Sequence, residues 1–219
     1  MKIAIMQPYF FPYMPYFQLI HAVDKWVNLD HVTFIKQGYI HRNNIKDELV
    51  IRAPCMGASS NTLISKVGLD FESREWKKQL KTLDQAYKKA KNYDVLRDLL
   101  IGSSKLSTNL SEFNFHLIKE ICKYLDITTK LISTSKGLSD KPNIEGVTEI
   151  VKNLRGDFYI NAIGGMDLYS KEEFASNDIE LKFLKTKLQD DFKSLSIFHV
   201  LCMCTQEEIR EKLDDYILI

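Results

Sequence analysis

The first 35 residues constrain this chain more than any other stretch. Lys2–Met6 is a short apolar, β-rich run that stops at Gln7-Pro8. Prolines at 8, 12 and 15 keep the next segment out of a helix until the last of them, which suits the first helical turn because its missing N–H costs nothing there. From Tyr16 to Asp24, residues Phe17, Leu19, Ile20 and Val23 recur at helical spacing; Trp26–Leu29 and His31–Ile35 then read as a strand interrupted by Asp30. Strand, loop, helix, strand is a βαβ unit. Such a unit favours parallel pairing with a right-handed crossover.

The alternation continues along the chain. Tyr39–Ile45 and Leu49–Ala53 read as a pair of strands, residues 54–62 as a Gly/Ser/Asn-rich loop, and Leu63–Val67 as a further strand. Glu75–Tyr87, Tyr93–Ile101 and Leu110–Leu125 carry apolar residues at helical spacing, with Ser107 or Asn109 as N-cap of the third. Thr129–Ser133, Phe158–Asn161 and Ile179–Leu184 are strands; Asn143–Leu154 and Lys171–Ala175 are helices; Ser196–Thr205 and Gln206–Tyr216 form a helical tail. The fold class is therefore α/β: one domain over residues 1–219, with a mainly parallel sheet flanked by helices, a sheet-forming core over about 1–185 and a helical C-terminal tail over about 194–219.

Composition narrows the function. The net charge of +1 gives no field to gather nucleic acid or a membrane surface, so clusters such as Lys88-Lys89-Ala90-Lys91 read as solvated helix faces. The apolar run at the start is too short for a signal peptide, and no stretch reaches the roughly 18 apolar residues of a membrane span, so a cytoplasmic location is expected. Cys55, Cys122, Cys202 and Cys204 have no disulfide-framework spacing and read as reduced thiols. His199, Cys202 and Cys204 do not share one helix face and have no second ligand pair, so no metal site is expected. Cys55, in its Pro-Cys-Met-Gly loop, is a candidate nucleophile that lacks an identified base.

In a parallel sheet, ligands bind outside the carboxyl ends of the strands. The loops at Gln7–Pro15, at Asp30, at Ser133–Ser135 and at Gly164–Tyr169 each follow a predicted strand and would meet on that edge. The first holds six aromatics in the nine positions from Tyr9 to Phe17. Two readings compete: a proline-stiffened platform for a flat or sugar-like ligand, with Tyr9, Tyr13, Tyr16 and the Gln7 amide facing it, or a hydrophobic plug closing the end of the sheet. Phe10, Phe11 and Tyr13, if exposed together, would make a dimer patch. Arg42 with Asn43 and Lys36 is either a diphosphate clamp or an ordinary charged strand face. Asp30 is either a general base or a turn-initiating aspartate; His21 is either a catalyst beside it or a packed side chain. Gly164-Gly165, followed by Tyr169, permits close backbone approach of a phosphate or sugar, or is a plain turn.

MKIAIMQPYFFPYMPYFQLI, Asp24, Asp30 and the run Phe34–Asn43 together resemble the opening of the WbqC-like family. The resemblance continues through Ala86–Ala90, Ser133-Thr134-Ser135, Tyr159–Gly165 with Tyr169, and Leu195-Ser196-Ile197, so it spans nearly the whole chain. It implies a place in the synthesis of O-antigen and related bacterial surface polysaccharides. The implied activity is transfer of a glycyl or similar aminoacyl or acyl group to the amine of a nucleotide-linked amino sugar, from a carrier-protein, aminoacyl-tRNA or adenylate donor. In that reading Asp30 or His21 is the base, and the Gln7 side chain or amides near Gly164 form the oxyanion donor. Substrate contacts would come from Gln7, Tyr9, Tyr13, Tyr16, Lys36, Arg42, Asn43, Ser133, Ser135, Gly164, Gly165 and Tyr169, with no cofactor. The alternative is a non-catalytic nucleotide-sugar-binding or scaffold protein of the same pathway. The opening βαβ unit also bears a looser resemblance to the HIGH-motif nucleotidyltransferases. Tyr13 and Tyr16 stand where that motif's histidines would be, so nucleotidyl transfer by the usual mechanism is not expected; a nucleotide-linked ligand fits this resemblance, and a degenerate nucleotidyltransferase is the third alternative.

Overall fold

In a computed structural model, residues 1–219 are described apart from Asp47, Asp140 and Pro142; for Asp190 and Asp191 only the backbone is described. The chain runs β1 (Lys2–Met6), α1 (Met14–His21), β2 (Lys25–Asn28), β3 (Arg42–Lys46), β4 (Leu49–Arg52), β5 (Cys55–Met56) and β6 (Gly68–Leu69). It continues through α2 (Arg74–Tyr87), α3 (Tyr93–Leu106), α4 (Leu110–Tyr124), β7 (Lys130–Ile132), α5 (Asn143–Asn153), β8 (Phe158–Ala162), α6 (Lys171–Ala175) and β9 (Glu180–Thr186). Three short helices, α7 (Asp190–Ser194), α8 (Ile197–Met203) and α9 (Gln206–Arg210), lead to β10 (Tyr216–Leu218).

Six strands form the central sheet in the order β10-β9-β8-β1-β2-β7. β1 pairs in parallel with β2 and β8, β2 with β7, and β8 with β9; only β10 runs antiparallel, against β9. The chain winds from β1 outward through β2 to β7, then returns to the other side of β1 for β8 and β9. The winding thus reverses between β1 and β8.

Both faces of the sheet are covered, and the strands show it by burying alternate residues in opposite layers. Ala4 and Trp26 join the layer shared with α1, α4 and α8, beside Phe17, Ile20, Phe113, Ile118 and Phe198. Ile3, Ile5 and Val27 face the other layer, with Val147 and Val151 of α5, Tyr159 of β8 and Phe174 of α6. The chain passes so close under β1 at Gly156 that an added Cβ would lie 2.5 Å from Cγ1 of Ile3. Asn109 caps α4 by accepting from the Glu112 amide.

Four segments differ from the expectation of the sequence; one is the expected loop 54–62, which holds the two-residue strand β5. His31–Ile35 and Leu63–Val67 do not join the sheet; Thr33 bridges Leu63, and Ile64–Lys66 is a 3₁₀ turn. The chain leaves the sheet after Asn28, and the Ile64 and Ser65 amides then donate to the Val32 and Asp30 carbonyls, so the two segments satisfy one another. The tail is not helical to its end. Tyr216–Leu218 supplies β10, because β9 is seven residues long and its outer edge needs a partner. Gln18, fully buried in α1, fixes the tail by donating from Nε2 to the carbonyls of Lys212 (2.7 Å) and Asp215 (3.2 Å).

Candidate functional site

The aromatic loop after β1 divides its residues between two jobs. Phe10 and Phe11 are fully buried, Phe10 against Phe113 and Phe11 edge-on to Phe198. They are core, not an exposed dimer patch. Phe11 holds a left-handed backbone (φ 42°), which costs a non-glycine residue about 1–2 kcal/mol. Its carbonyl accepts from Asn43 Nδ2 (2.8 Å) and Ser196 Oγ (2.7 Å), two side chains that clip the loop in this shape. Asn114 Nδ2 clips it a second time, donating to the carbonyls of Pro8 (2.9 Å) and Ile40 (2.7 Å). Tyr16 lies beneath and donates its hydroxyl to the Gln7 carbonyl at 2.7 Å. So anchored, the loop presents Tyr9 and Tyr13 outward, with Tyr39 packed against both rings.

Tyr9 and Tyr13 form one wall of a cleft of about 490 Å³ that opens at the carboxyl ends of β1 and β8. The Gln7 loop meets the turn Ile163–Leu168 there, where the winding reverses, which is the usual place for a ligand in a doubly wound sheet. Gln7, Ile35, Asn161, Gly164, Gly165, Tyr169 and Lys193 also line it. Burial, with Tyr9 and Tyr39 close by, pushes the Tyr13 hydroxyl up to about 12; burial also raises Tyr9 and Tyr169. All three therefore stay neutral near pH 7 and can donate hydrogen bonds.

Asn161 is the next-to-last residue of β8 and is 7% exposed. Its Oδ1 accepts from the Ala162 amide at 2.8 Å, which fixes the side chain. An added Cβ at Gly165 would sit 2.4 Å from Asn161 Nδ2, so glycine there is what lets the amide occupy its place. Among the described residues, the only charged side chain lining the cleft is Lys193, exposed on α7.

The remaining candidates lie elsewhere. Asp30, 4% exposed at the end of β2, accepts from Ser111 Oγ (3.0 Å), Thr134 Oγ1 (2.8 Å) and the Ser135 amide (3.0 Å). The Ser133–Ser135 loop is thus occupied by the protein's own carboxylate, and the Ser133 carbonyl accepts from Asn28 Nδ2. Neither serine lines the β1–β8 cleft. Asn43 is buried under the aromatic loop, with its Oδ1 also taken, by the Asn44 amide at 2.9 Å. Arg42 donates to the Gln37 carbonyl, Lys36 is exposed, and neither lines the cleft. His21 lies at the opposite edge of the sheet, since the Asp24 amide bonds Lys2 at the start of β1; it faces the exposed Asp214 at 3.4 Å. Burial pushes the Cys55 thiol up to about 12, far from a poised nucleophile. His199 bonds Tyr87 at 2.8 Å.

Asn161 and Lys193 were not singled out from the sequence. Asn161 carried a usable signal, a polar residue at the end of an apolar run, three positions before Gly164-Gly165. Lys193 carried none.

The model of the WbqC-like protein family matches residues 7–211. An uncharacterized protein of Mycobacterium tuberculosis is 29% identical over 164 residues, which is 70% of this chain and 67% of that protein. No solved structure matches the chain.

Proposed function

Given that this chain belongs to the WbqC-like protein family, we propose that it binds a nucleotide-linked amino sugar in the β1–β8 cleft and transfers an aminoacyl or acyl group to the sugar amine. The reaction belongs to the cytoplasmic assembly of O-antigen or a related surface polysaccharide. One observation carries the reading. The cleft at the reversal of winding joins an aromatic wall, Tyr9 and Tyr13, to amide groups, Gln7 and Asn161, that suit the apolar faces and hydroxyls of a sugar. Gly164 leaves open space on its side of the turn, with nothing within 4 Å of an added Cβ, so a substrate carbonyl or phosphate has access to the backbone there.

A specific observation favours the second reading, a binder that performs no chemistry. Among the described residues the cleft is lined by no carboxylate and no histidine, and its tyrosines are held protonated. Asp30, the candidate base, is enclosed by four donors, the Ser111, Thr134 and Ser135 hydroxyls and the Ser135 amide.

The two readings separate in one experiment. The protein is incubated with a UDP-linked amino sugar and, in turn, with glycyl-tRNA and an acyl carrier-protein thioester, and the sugar is weighed by mass spectrometry. Transfer adds the aminoacyl or acyl mass to the amine and is lost in Tyr13→Ala. A saturable calorimetric binding signal with no mass change supports the binder. No binding of any nucleotide sugar removes both readings.

A further inference from the structure

The cleft's donors are unlike those expected for a neutral sugar alone. Lys193 brings a full positive charge to a cavity whose other described lining groups are neutral, so any ligand that fits is drawn by its negative part. Asn161 adds a donor with a fixed aim. Its residue is more than nine-tenths buried, its Oδ1 is engaged by the Ala162 amide, and Nδ2 has no hydrogen-bond partner among the described residues although it borders the cleft. Although the residue is buried, Nδ2 itself reaches the cleft surface, where solvent or a ligand can complete it. Its approach to Gly165 would be blocked by any side chain there. The Gln7 amide lines the same cavity, and no described carboxylate competes for the cation.

We propose that Lys193 and Asn161 together anchor the phosphates of the nucleotide-linked ligand, Lys193 as a point charge and Asn161 Nδ2 as an oriented donor. The inference rests on the reading of the cleft as a nucleotide-sugar site and assigns the anionic part of that ligand to named residues. It also moves the diphosphate contact away from Arg42 and Lys36, which do not line the cleft. Ammonium-to-phosphate contacts are charge-assisted and weaken with salt, so the anchor has a signature that a neutral sugar contact lacks.

Calorimetric titration tests this with UDP, ADP, GDP and dTDP, each beside its own nucleoside. At least one diphosphate is expected to bind the native protein tenfold or more tightly than its nucleoside, and that preference should shrink with added salt. Lys193→Glu and Asn161→Asp should each abolish the preference, read as the ratio of diphosphate to nucleoside affinity in the same variant. Asn161→Asp keeps the Ala162 contact and replaces the donor with an acceptor, and circular dichroism checks that both variants fold. A preference that survives both substitutions overturns the anchor and leaves the nucleotide-sugar reading standing. A native protein that binds nucleoside and diphosphate equally overturns the anchor in the same way. A native protein that binds none of the eight compounds, and no UDP-linked sugar either, overturns the reading and the anchor together.

Discussion

Two groups of polar side chains lie on the same edge of one sheet and are treated in opposite ways. At the ends of β2 and β7, Asp30, Asn28, Ser111, Thr134 and Ser135 bond one another, so the edge is sealed from inside. At the ends of β1 and β8, Gln7, Asn161 and Lys193 line a cavity and leave donors for something else. Topology explains the difference. β2 and β7 are neighbours in a continuous winding, and α4 closes over them with Ser111. Between β1 and β8 the winding reverses, the connections through α1 and α6 depart to opposite faces, and a cleft stays open between them. Polar residues at strand ends are not all equivalent, and the strand order decides which are consumed by the fold.

The contrast can be broken most sharply at Asp30. Asp30→Ala should destabilise the protein by about 3 kcal/mol, because it strands the Ser111 and Thr134 hydroxyls and the Ser135 amide. Urea unfolding measures this; unchanged stability with lost turnover would instead mark Asp30 as a catalyst. Alkali acts on the other half. Tyr13 has a folded pKa near 12 against an ordinary 10, so its contribution is complete below pH 10 and disappears as pH climbs through 12. That loss is about 3 kcal/mol, and Tyr13→Phe should remove it from unfolding curves taken across this range.

Asn43→Ala should cost about 1.5 kcal/mol by unclipping Phe11, and cleft binding should weaken with it. Arg42→Ala should do neither, which would separate the paired residues. Gly165→Ala should lower affinity for a nucleotide sugar about tenfold, roughly 1.4 kcal/mol, by pushing Asn161 aside, while the melting temperature stays nearly constant. His21→Ala should shift stability by less than about 0.5 kcal/mol and leave binding unchanged, since its contact with Asp214 is a solvent-exposed one.

Local periodicity made much of the fold legible. β1 begins and ends where its apolar run does, α6 matches its predicted span, and α1, α2, α4 and α5 lie within two residues of theirs at most boundaries. The meeting of four loops at one edge followed from parallel pairing alone. What stayed hidden depended on distant partners. Asp30 sits between apolar stretches where either role is reasonable, and its fate is set by groups 81 to 105 positions away. Within the aromatic run both readings hold at once, because Phe10 and Phe11 point into the core while Tyr9 and Tyr13 face the cleft. Lys193 belongs to a five-residue helix that no periodic pattern announces.

The reversed strand at the sheet margin has a consequence for how copies of this protein meet. Without Tyr216–Leu218, the outer edge of β9 at Leu184–Thr186 would present bare amides and carbonyls, an invitation for a neighbouring molecule to add its own strand. β10 acts as a built-in stopper. Deleting it would turn a well-behaved protein into one that self-associates along that margin, long before its cleft was disturbed.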